Sequence, residues 1–569
     1  MLPRLSSAFL IGASLLLTVP ENWASPSRHR GKHSPSLFSI AKTSAPEPAA
    51  EEFDPPEETI GERLFLETRF SQFFFAHAGG NVNAPLSAGD PAVDFTLTTN
   101  QPLAGPFKGQ AMNCRACHLV DEFTEGPGNR AYADFARRSP IPDRGDGRSF
   151  TPRNSPGLVN ATLSRPGSFF LHFDGEFPTT KDLIIGTYTG RNFGWLATER
   201  EQAIAHFGRV IREDDGTGDL AKENGGAYAV VLAGVDPAIP SEFRIPAEFR
   251  IDVATASDEQ ILDAAAALVE VYLLGLVFEL DDNGEFDGSP YDLFLKKNHL
   301  PRQPAQGETP ADYSRRLLAL LNAIPIPNFV SDADNKFETH DQAFEFGTTE
   351  LTGLRVFFAT APSANPSAGG VGNCIACHTA PNFTDFSFHN TGATQEEYDA
   401  VHGQGAFLRL RIPGLSERTA NYDAYLPPTP LHPQATGPFI TPPSLDNPND
   451  VDLGAWNVFA NPDHPLAQPG FAEVLVRNTR VRSPAALLQR AIALFKTSGL
   501  RDLGHSAPYL HTGRMDSLEV VVNFYLDFSN RSRNGEVRNG ARELNGMHLA
   551  PVDIAPLAAF LRALNADYN

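Results

Sequence analysis

Apolar residues recur at helical spacing in several segments of this chain, and these segments predict a mainly α fold. Over residues 257–276, apolar positions repeat with the period of a helix, and Ser257 stands where an N-cap is expected. The same spacing predicts helices over 61–70, 313–323 and 350–358. The segments 61–70 and 350–358 each precede a cysteine pair, which suggests an internal duplication.

The segments between these helices are rich in residues that interrupt regular structure. The chain contains 47 Pro and 46 Gly, so long irregular segments are expected to wrap the helices. Residues 210–250 and 393–470 have the composition of insertions, and we expect ordered loops there at best. The chain after its first 58 residues is longer than a single hydrophobic core normally supports, which predicts two or three domains.

The N-terminus has the pattern of a secretory signal peptide, assigned to residues 1–24. Arg4 precedes an apolar stretch from Ala8 to Val19, and small residues follow near Ala24. Residues 25–58 are rich in Ser, Pro, Ala and charge, without hydrophobic periodicity, and are predicted to form a flexible linker. No later run approaches the ~18–20 apolar residues of a transmembrane helix, so no membrane span is expected in the mature chain.

Two pentapeptides contain every cysteine of the chain and share the pattern C-x-x-C-H. They are Cys114-Arg-Ala-Cys117-His118 and Cys374-Ile-Ala-Cys377-His378. Two thiols at this spacing can add to the two vinyl groups of one porphyrin, and the next residue's imidazole then becomes an iron ligand. The sequence therefore predicts two covalently bound haem c groups.

Two other readings of a C-x-x-C pair are weaker here. A redox disulfide needs a βαβ context, and neither pair follows a strand-like apolar run. A zinc site built from two such pairs keeps them roughly 15–20 residues apart, whereas Cys114 and Cys374 are 374 − 114 = 260 positions apart. Haem attachment explains both sites and leaves no thiol over.

The compartment and the charge limit the partners that this protein can have. C-type haem is attached outside the cytoplasm, so the signal peptide and the haem motifs together predict a bacterial periplasmic location. The formal net charge of −22 argues against nucleic acid or an anionic membrane as partner. The charge fits either a solvated acidic surface or docking of a basic electron donor, and the sequence leaves both open.

Several blocks around the motifs resemble the bacterial di-haem cytochrome c peroxidase superfamily, including its MauG-like members. The resemblance runs from about Gly61 to Leu564. Its blocks are Arg153-Asn-Ser-Pro-Gly-Leu-Val-Asn-Ala161, Phe173-Asp-Gly175, Gly288-Ser-Pro-Tyr-Asp-Leu-Phe294, Asn390-Thr-Gly392, Ser506-Ala-Pro-Tyr-Leu-His-Thr-Gly513 and Ser517-Leu-Glu-Val-Val-Val-Asn-Phe-Tyr525. The resemblance implies two cytochrome c-like haem domains with long irregular loops and insertions. The expected division is an N-terminal domain with the peroxidatic haem over 59–300, a connection over 301–345, and a C-terminal domain with the electron-transfer haem over 346–569.

The resemblance also implies which residues bind metals. His118 and His378 would be the proximal haem ligands, and one calcium ion would bind Asn154 with the backbone carbonyls of Ser506 and Pro508. Family peroxidases usually cap the C-terminal haem with a methionine, and this chain has Tyr525 at that position, as MauG-like members do. A tyrosine oxygen favours ferric and higher oxidation states.

The surroundings of the first haem depart from the peroxidase pattern. There is no histidine between His118 and His172, so we expect an open iron face there, with His77 and His172 in structural roles. The distal glutamate of the family has no counterpart at its expected position, and Glu199 is the next candidate.

The bridge between the two haems also departs from that pattern. Phe173 replaces the family's inter-haem tryptophan, which leaves Tyr188 or Trp195 as possible electron relays. Trp195, with Phe193, is also expected to line the first haem site.

These features together predict a periplasmic di-haem oxidoreductase. The resemblance implies reduction of hydrogen peroxide at the N-terminal haem, with electrons relayed through the C-terminal haem. The electron donor would be a small cytochrome or another periplasmic redox protein. A di-haem oxygenase that uses O₂ on an organic substrate remains an alternative. A non-catalytic di-haem electron carrier is another, and it would need both irons six-coordinate.

Overall fold

The computed structural model describes residues 54–84, 113–114, 117–118, 138, 141–163, 165, 169–338, 340–362, 369–476 and 480–567. The predicted signal peptide and the predicted linker up to residue 53 lie outside these residues. Within them the fold is mainly α, as predicted, with one small antiparallel sheet of β1 Phe388–His389 and β2 Phe495–Lys496. Across this part of the chain, no helix is both long and apolar enough to cross a membrane.

The helices are short to medium in length and are joined by long irregular segments. In chain order they are α1 Pro56–Leu66, α2 Gln72–His77, α3 Thr180–Tyr188, α4 Arg200–Glu213, α5 Asp219–Glu223, α6 Tyr228–Ala233, α7 Asp258–Gly275, α8 Pro290–Lys297, α9 Pro310–Ala323, α10 Thr348–Phe358, α11 Ala393–His402, α12 Ala406–Arg409, α13 Leu415–Ala420, α14 Tyr422–Tyr425, α15 Gln468–Val476, α16 Pro484–Arg490, α17 Leu518–Arg533 and α18 Ile554–Arg562.

The predicted helix boundaries agree with the structure at most ends. Ser257 caps α7, where its hydroxyl accepts from the Gln260 amide at 3.3 Å and the Gln260 side chain accepts from the Ser257 amide at 2.9 Å. Helix α1 begins at Pro56, inside the predicted linker, and ends at Leu66, before the predicted end at Phe70. The chain turns there because Glu67 adopts an extended backbone conformation.

Two of the three main hydrophobic cores are built around a similar helix crossing. The first core lies between Ile60 and Leu276, where α1 packs on α7. The second core lies between Tyr291 and Leu564, where α10 packs on α18. Gly61 and Gly353 stand at these crossings, and a Cβ on either would overlap the carbonyl oxygen of Leu268 or Pro556, respectively. The shared crossing supports the predicted internal duplication.

The second core begins earlier than the expected domain boundary. Tyr291 and Phe294 of α8 pack into this core, although residue 300 was the predicted end of the N-terminal domain. Leu317 of α9 and Phe344 also pack there, although residues 301–345 were expected to connect the domains. The difference arises because α8 and α9 each have an apolar face that only the second core covers.

The two segments expected to be loops contain helices, so that prediction is wrong. Residues 210–250 include α5 and α6, and residues 393–470 include α11 to α14. The later segment forms a third core with the neighbouring residues up to Phe495, where Trp456, Phe439 and Phe471 are almost fully buried. Frequent Pro and Gly residues break the helical periodicity of these segments, so the sequence did not predict the helices. The apolar residues of the third core are far apart along the chain and therefore give no local pattern either.

Candidate haem-binding cavity

In both C-x-x-C-H motifs, a backbone hydrogen bond between described residues closes a turn from the first cysteine to the histidine. The backbone amide of His118 donates to the Cys114 carbonyl at 3.0 Å, and that of His378 donates to the Cys374 carbonyl at 2.8 Å. This turn places the first cysteine and the histidine of each motif on the same side of the backbone. The two motifs therefore present matching sets of sulfur and imidazole atoms.

The two motif histidines have the same hydrogen bond. His118 Nδ1 lies 3.0 Å from the Pro156 carbonyl oxygen, and His378 Nδ1 lies 2.9 Å from the Phe383 carbonyl oxygen. A carbonyl can only accept, so Nδ1 carries the proton and Nε2 keeps its lone pair. Burial lowers the pKa of His118 to about 4 and also lowers that of His378, which keeps both rings neutral. This is the orientation and charge state of an iron-ligating imidazole.

One cavity of about 450 Å³ reaches both motifs. Its lining includes Cys114, Cys117, His118, Cys374, Cys377 and His378. The four cysteines form no disulfide bond with one another, and burial raises the pKa of Cys374 to about 12 and that of Cys114 further. Neutral thiols facing an apolar cavity beside a neutral imidazole fit the covalent attachment of a haem at each motif.

Tyr525 lines the cavity at the second motif. It lies on α17, which Ser517 caps, and its ring packs against Phe524 with 5.4 Å between ring centroids. Burial raises the pKa of Tyr525, and the neighbouring Cys377 and Cys374 raise it further. Its hydroxyl donates to no described residue, so the oxygen is available to a group within the cavity.

The cavity wall near the first motif is apolar and contains no described carboxylate. Ile184, Thr187 and Phe193 belong to this wall, and the described carboxylates of the whole lining are Asp502 and Glu543, both in the C-terminal half. This composition gives the described part of the first site little capacity for acid–base chemistry by a carboxylate.

The structure does not bring Glu199 or Trp195 to this cavity. Glu199 forms a salt bridge with Arg144 at 2.7 Å and accepts from the Leu196 amide at 2.9 Å. Trp195 is buried in the first core, where its indole nitrogen donates to the Phe70 carbonyl at 3.1 Å. Both side chains are occupied in structural contacts.

The two histidines flanking the first motif have different positions. His77 ends α2, stacks on Phe73 and does not line the cavity. His172 does line it, and its Nδ1 lies 3.2 Å from a carboxylate oxygen of Glu176. Burial of Glu176 opposes ionisation, but the His172 hydrogen bond and the nearby His464 lower its pKa to about 2. Of these two histidines, His172 is therefore the one that lines the cavity together with His118.

Aromatic rings in contact with one another also line the cavity. Phe173 lines the cavity, and its ring centroid is 6.4 Å from that of His511. His511 in turn stacks on Phe495 at 3.5 Å, and burial lowers the pKa of His511 to about 3. Tyr188 lies elsewhere, in the first core, where its hydroxyl donates to the Leu64 carbonyl at 2.9 Å.

Two cationic side chains line the cavity without a described carboxylate partner. The Arg165 guanidinium lies 4.3 Å from the ring centroid of Phe386, and burial lowers its pKa to about 10. Lys496 of β2 also lines the cavity, and burial together with the charge of Arg165 lowers its pKa to about 7. Positive charge in an apolar cavity favours an anionic group there. Neither residue belongs to a motif, so the sequence did not indicate this pair.

The three residues expected to bind calcium do lie together. The Asn154 side-chain nitrogen donates to the Pro508 carbonyl at 2.6 Å and to the Leu510 carbonyl at 3.0 Å, while the Ser506 hydroxyl donates to the Asp502 carbonyl. The Asn154 oxygen is buried without a hydrogen-bond partner. A calcium ion would need that oxygen, rather than the nitrogen, turned towards the carbonyls.

Comparison with known proteins gave short sequence matches. No family model matches the chain. It is 37% identical over 79 residues to the cytochrome-c peroxidase IdrP2 of Pseudomonas sp. (strain SCT), a match that covers 14% of this chain and 19% of the relative. It is 27% identical over 111 residues to the methylamine utilization protein MauG of Methylophilus methylotrophus, a match that covers 20% of this chain and 30% of the relative. The IdrP2 of Denitromonas iodatirespirans is 23% identical over 200 residues, which cover 35% of this chain and 37% of the relative. The chain thus spans from about a fifth to just over a third of these relatives.

Two solved structures also align with most of this chain, at low similarity. A variant of the diheme peroxidase BthA from Burkholderia thailandensis has a TM-score of 0.40 at 17% identity, covering 92% of this chain and 89% of that chain. A MauG-like protein associated with microbial copper homeostasis has a TM-score of 0.41 at 14% identity, covering 93% and 96%.

Proposed function

We propose that this chain, which belongs to the superfamily of di-haem cytochrome c peroxidases and MauG, is a periplasmic di-haem enzyme that reduces hydrogen peroxide. The observation that carries this proposal is the matching presentation of two neutral imidazoles, His118 and His378, into one cavity. The reaction consumes one peroxide, two protons and two electrons and yields two waters. The predicted signal peptide supports export to the periplasm.

The residues that would hold the two haems follow from the cavity lining. Cys114 and Cys117 would attach one haem, and Cys374 and Cys377 the other. When bound, haem supplies iron that changes oxidation state by single electrons and can bind peroxide. Arg165 and Lys496 would pair with haem propionates. The negatively charged propionates would supply the anionic partner that neither side chain has among the described residues.

The two sites differ in the further side chain that would serve each haem. Tyr525 lines the cavity at the second motif, and its oxygen would hold the C-terminal haem and favour the ferric and higher states of the iron. At the N-terminal site, His172 supplies a hydrogen-bonding nitrogen that Glu176 orients. We assign proton handling at this site to His172, because Glu199 is engaged with Arg144 and does not line the cavity.

Electron transfer between the sites would follow an aromatic contact in the shared cavity. Phe173 and His511 contact each other and line the cavity that reaches both motifs, whereas Tyr188 and Trp195 are packed in the first core. Neither Phe nor a neutral His is readily oxidised, so this contact would shorten the path without storing charge. The net charge of −22 favours a small basic cytochrome as the external electron donor.

A second candidate function is oxygenation of an organic substrate with O₂. It is favoured by the apolar wall near His118, where Phe193 and Ile184 line the cavity and no described residue offers a carboxylate. Trp195, which we expected in this wall, is absent from it. The non-catalytic electron carrier has no such support, because it needs a second strong ligand at both sites.

We also propose a calcium ion beside Asn154, Ser506 and Pro508. The supporting observation is the buried Asn154 amide, whose oxygen has no hydrogen-bond partner and whose nitrogen contacts the Pro508 carbonyl, so that exchanging the two would turn the oxygen to the carbonyls. Calcium analysis of protein purified without chelators would give about one ion per chain. The proposal is rejected if such protein contains no calcium and a calcium chelator changes neither haem spectrum.

The decisive experiment records optical and electron paramagnetic resonance spectra of the two-haem protein before and after one equivalent of hydrogen peroxide. A peroxidase gives one high-spin and one low-spin ferric signal, both lost with peroxide and recovered with a reduced cytochrome. Oxygen uptake with an organic substrate, and no response to peroxide, would favour the oxygenase. Two low-spin signals indifferent to both oxidants would leave an electron carrier.

A further inference from the structure

We propose that His340, Asp502 and His505 form a binding site for a divalent transition-metal ion, with zinc as the best match. The site contains no residue of either C-x-x-C-H motif or of the sequence blocks described above, although Asp502 also lines the haem-binding cavity. It lies in the second half of the chain, where the segment between α9 and α10 meets the segment that follows β2.

The three side chains place their donor atoms within one small sphere. Each offers one nitrogen or carboxylate oxygen, and these atoms all lie within 4.8 Å of one another. His505 Nδ1 donates a hydrogen bond to one oxygen of Asp502 at 2.9 Å, with a proton that zinc would displace, and His340 Nε2 is 2.7 Å from the other oxygen. The side chains of His340, Asp502 and His505 are only 4%, 3% and 7% exposed, respectively. The cluster is therefore shielded from bulk solvent.

The contact between His340 and Asp502 is short but is not a hydrogen bond. His340 Nε2 and the nearby Asp502 oxygen are both buried, and neither has a hydrogen-bond partner, because the contact between them is badly aligned. A shared ion would satisfy both buried atoms, because each could direct a lone pair at the ion instead of at its neighbour.

The local backbone holds the cluster in place. Asp502 has the left-handed backbone conformation, with φ of 57°, and begins the short turn Leu503–His505. The imidazole rings of His340 and His505 are stacked with 3.9 Å between centroids. Gly504 permits this approach, because a Cβ there would stand 2.9 Å from two atoms of the His340 ring. The site is thus preorganised by chain segments that are distant in sequence.

The donor atoms of the cluster also suit a cation. The two imidazoles offer nitrogen and the Asp502 carboxylate offers oxygen. Zinc accepts this donor set, and a water molecule can complete four-coordination. Zinc does not change oxidation state, so it would not compete with electron transfer between the haems.

The test is a metal titration of the purified two-haem protein. Protein treated with a chelator and dialysed would be titrated with zinc chloride, and zinc and iron would be measured by mass spectrometry. We expect one zinc per two irons. X-ray absorption at the zinc edge would then give only nitrogen and oxygen neighbours at roughly 2.0–2.2 Å. This spectroscopic readout is independent of enzyme activity and of the haem spectra.

Variants identify the ligands. His340→Ala and Asp502→Asn should each weaken zinc binding at least tenfold, with unchanged haem content. The matched control is His432→Ala, because His432 forms a similar 2.8 Å contact with Asp423 but on an exposed part of the surface. The control should bind zinc like the natural chain. The proposal is overturned if the natural chain retains no stoichiometric zinc at micromolar concentration, or if its zinc edge lacks imidazole neighbours. Equal zinc binding by the natural chain and the folded variants would overturn it too.

Discussion

Arg153 and Asp452 form a buried two-pronged ion pair that joins the N-terminal part of the chain to the third core. Arg153 Nε lies 2.5 Å from one carboxylate oxygen, and a second guanidinium nitrogen lies 2.9 Å from the other. The remaining guanidinium nitrogen lies 2.6 Å from a carboxylate oxygen of Asp174. Asp174 directly follows Phe173 in the sequence, and Phe173 lines the cavity. The pair therefore connects the third core to the wall of the haem-binding cavity.

Removing one charge of this pair should destabilise the protein strongly. Asp452→Asn leaves a buried guanidinium with one anionic partner fewer, and we expect a loss of about 3–5 kcal/mol in the free energy of unfolding. Denaturant unfolding followed by haem absorbance would measure it. The control is Glu213→Gln, which breaks the exposed pair with Arg209 and should change stability by less than about 1 kcal/mol. Equal changes in unfolding free energy for the two substitutions would show that the buried Arg153–Asp452 pair stabilises the protein no more than an exposed pair.

Tyr525→Phe removes the proposed ligand oxygen while keeping the ring. We expect the spectrum of the C-terminal haem to change, with a higher reduction potential because the anionic oxygen no longer stabilises ferric iron. The first haem should be unaffected. Tyr509→Phe is the matched control, because Tyr509 also lines the cavity but its hydroxyl already donates to the Leu503 carbonyl. An unchanged spectrum in Tyr525→Phe would show that the tyrosine is not a ligand.

Lys496→Met should lower the reduction potential of at least one haem. At pH 6 Lys496 carries its proton, since burial and the charge of Arg165 lower its pKa only to about 7. A positive charge destabilises ferric iron, so its removal should lower the potential by on the order of 50 mV, compared with ~59 mV for a tenfold change in a one-electron equilibrium. Redox titration followed by absorbance measures the shift. Lys181→Met, which removes an exposed charge beside Asp263, should leave both potentials unchanged.

His511 should make the protein sensitive to acid. Burial lowers its pKa to about 3 in the folded chain, whereas the unfolded chain binds a proton near pH 6.5. The contribution of neutral His511 to stability is therefore fully present above about pH 6.5 and is lost as pH falls towards 3. The penalty is about 1.4 kcal/mol per pH unit. His511→Gln should reduce the slope of unfolding free energy between pH 6 and 4 by about that amount. An identical slope in the two proteins would mean that His511 is protonated when folded.

The two glycines at the helix crossings should tolerate no side chain. Gly61→Ala and Gly353→Ala each force a methyl group against a backbone carbonyl of the partner helix, Leu268 or Pro556. We expect losses of about 1–3 kcal/mol in unfolding free energy from each overpacked crossing. Gly414→Ala serves as the control, because a Cβ there meets nothing within 4 Å. Thermal unfolding of the three variants would test whether both crossings are equally tight.

The spacing that covalent haem attachment requires made the cysteines and histidines of the candidate site recognisable in the sequence alone. Attachment fixes the spacing of Cys374, Cys377 and His378, and the period of a capped helix predicted α7 behind Ser257. Lys496, by contrast, comes to the cavity only through tertiary packing and carries no local signal. The contact of His340 with Asp502 is equally invisible, because it joins residues far apart in the chain.

The third core also sets a limit on how far this protein could be shortened. Phe170 packs into it against Phe471 and Phe388, with ring centroids 5.2 and 6.0 Å apart, while Arg153 binds Asp452. Deleting this core would expose the ring of Phe170 and leave Arg153 with Asp174 alone. A shortened chain would therefore need compensating substitutions at Phe170 and Arg153 to keep the N-terminal part folded.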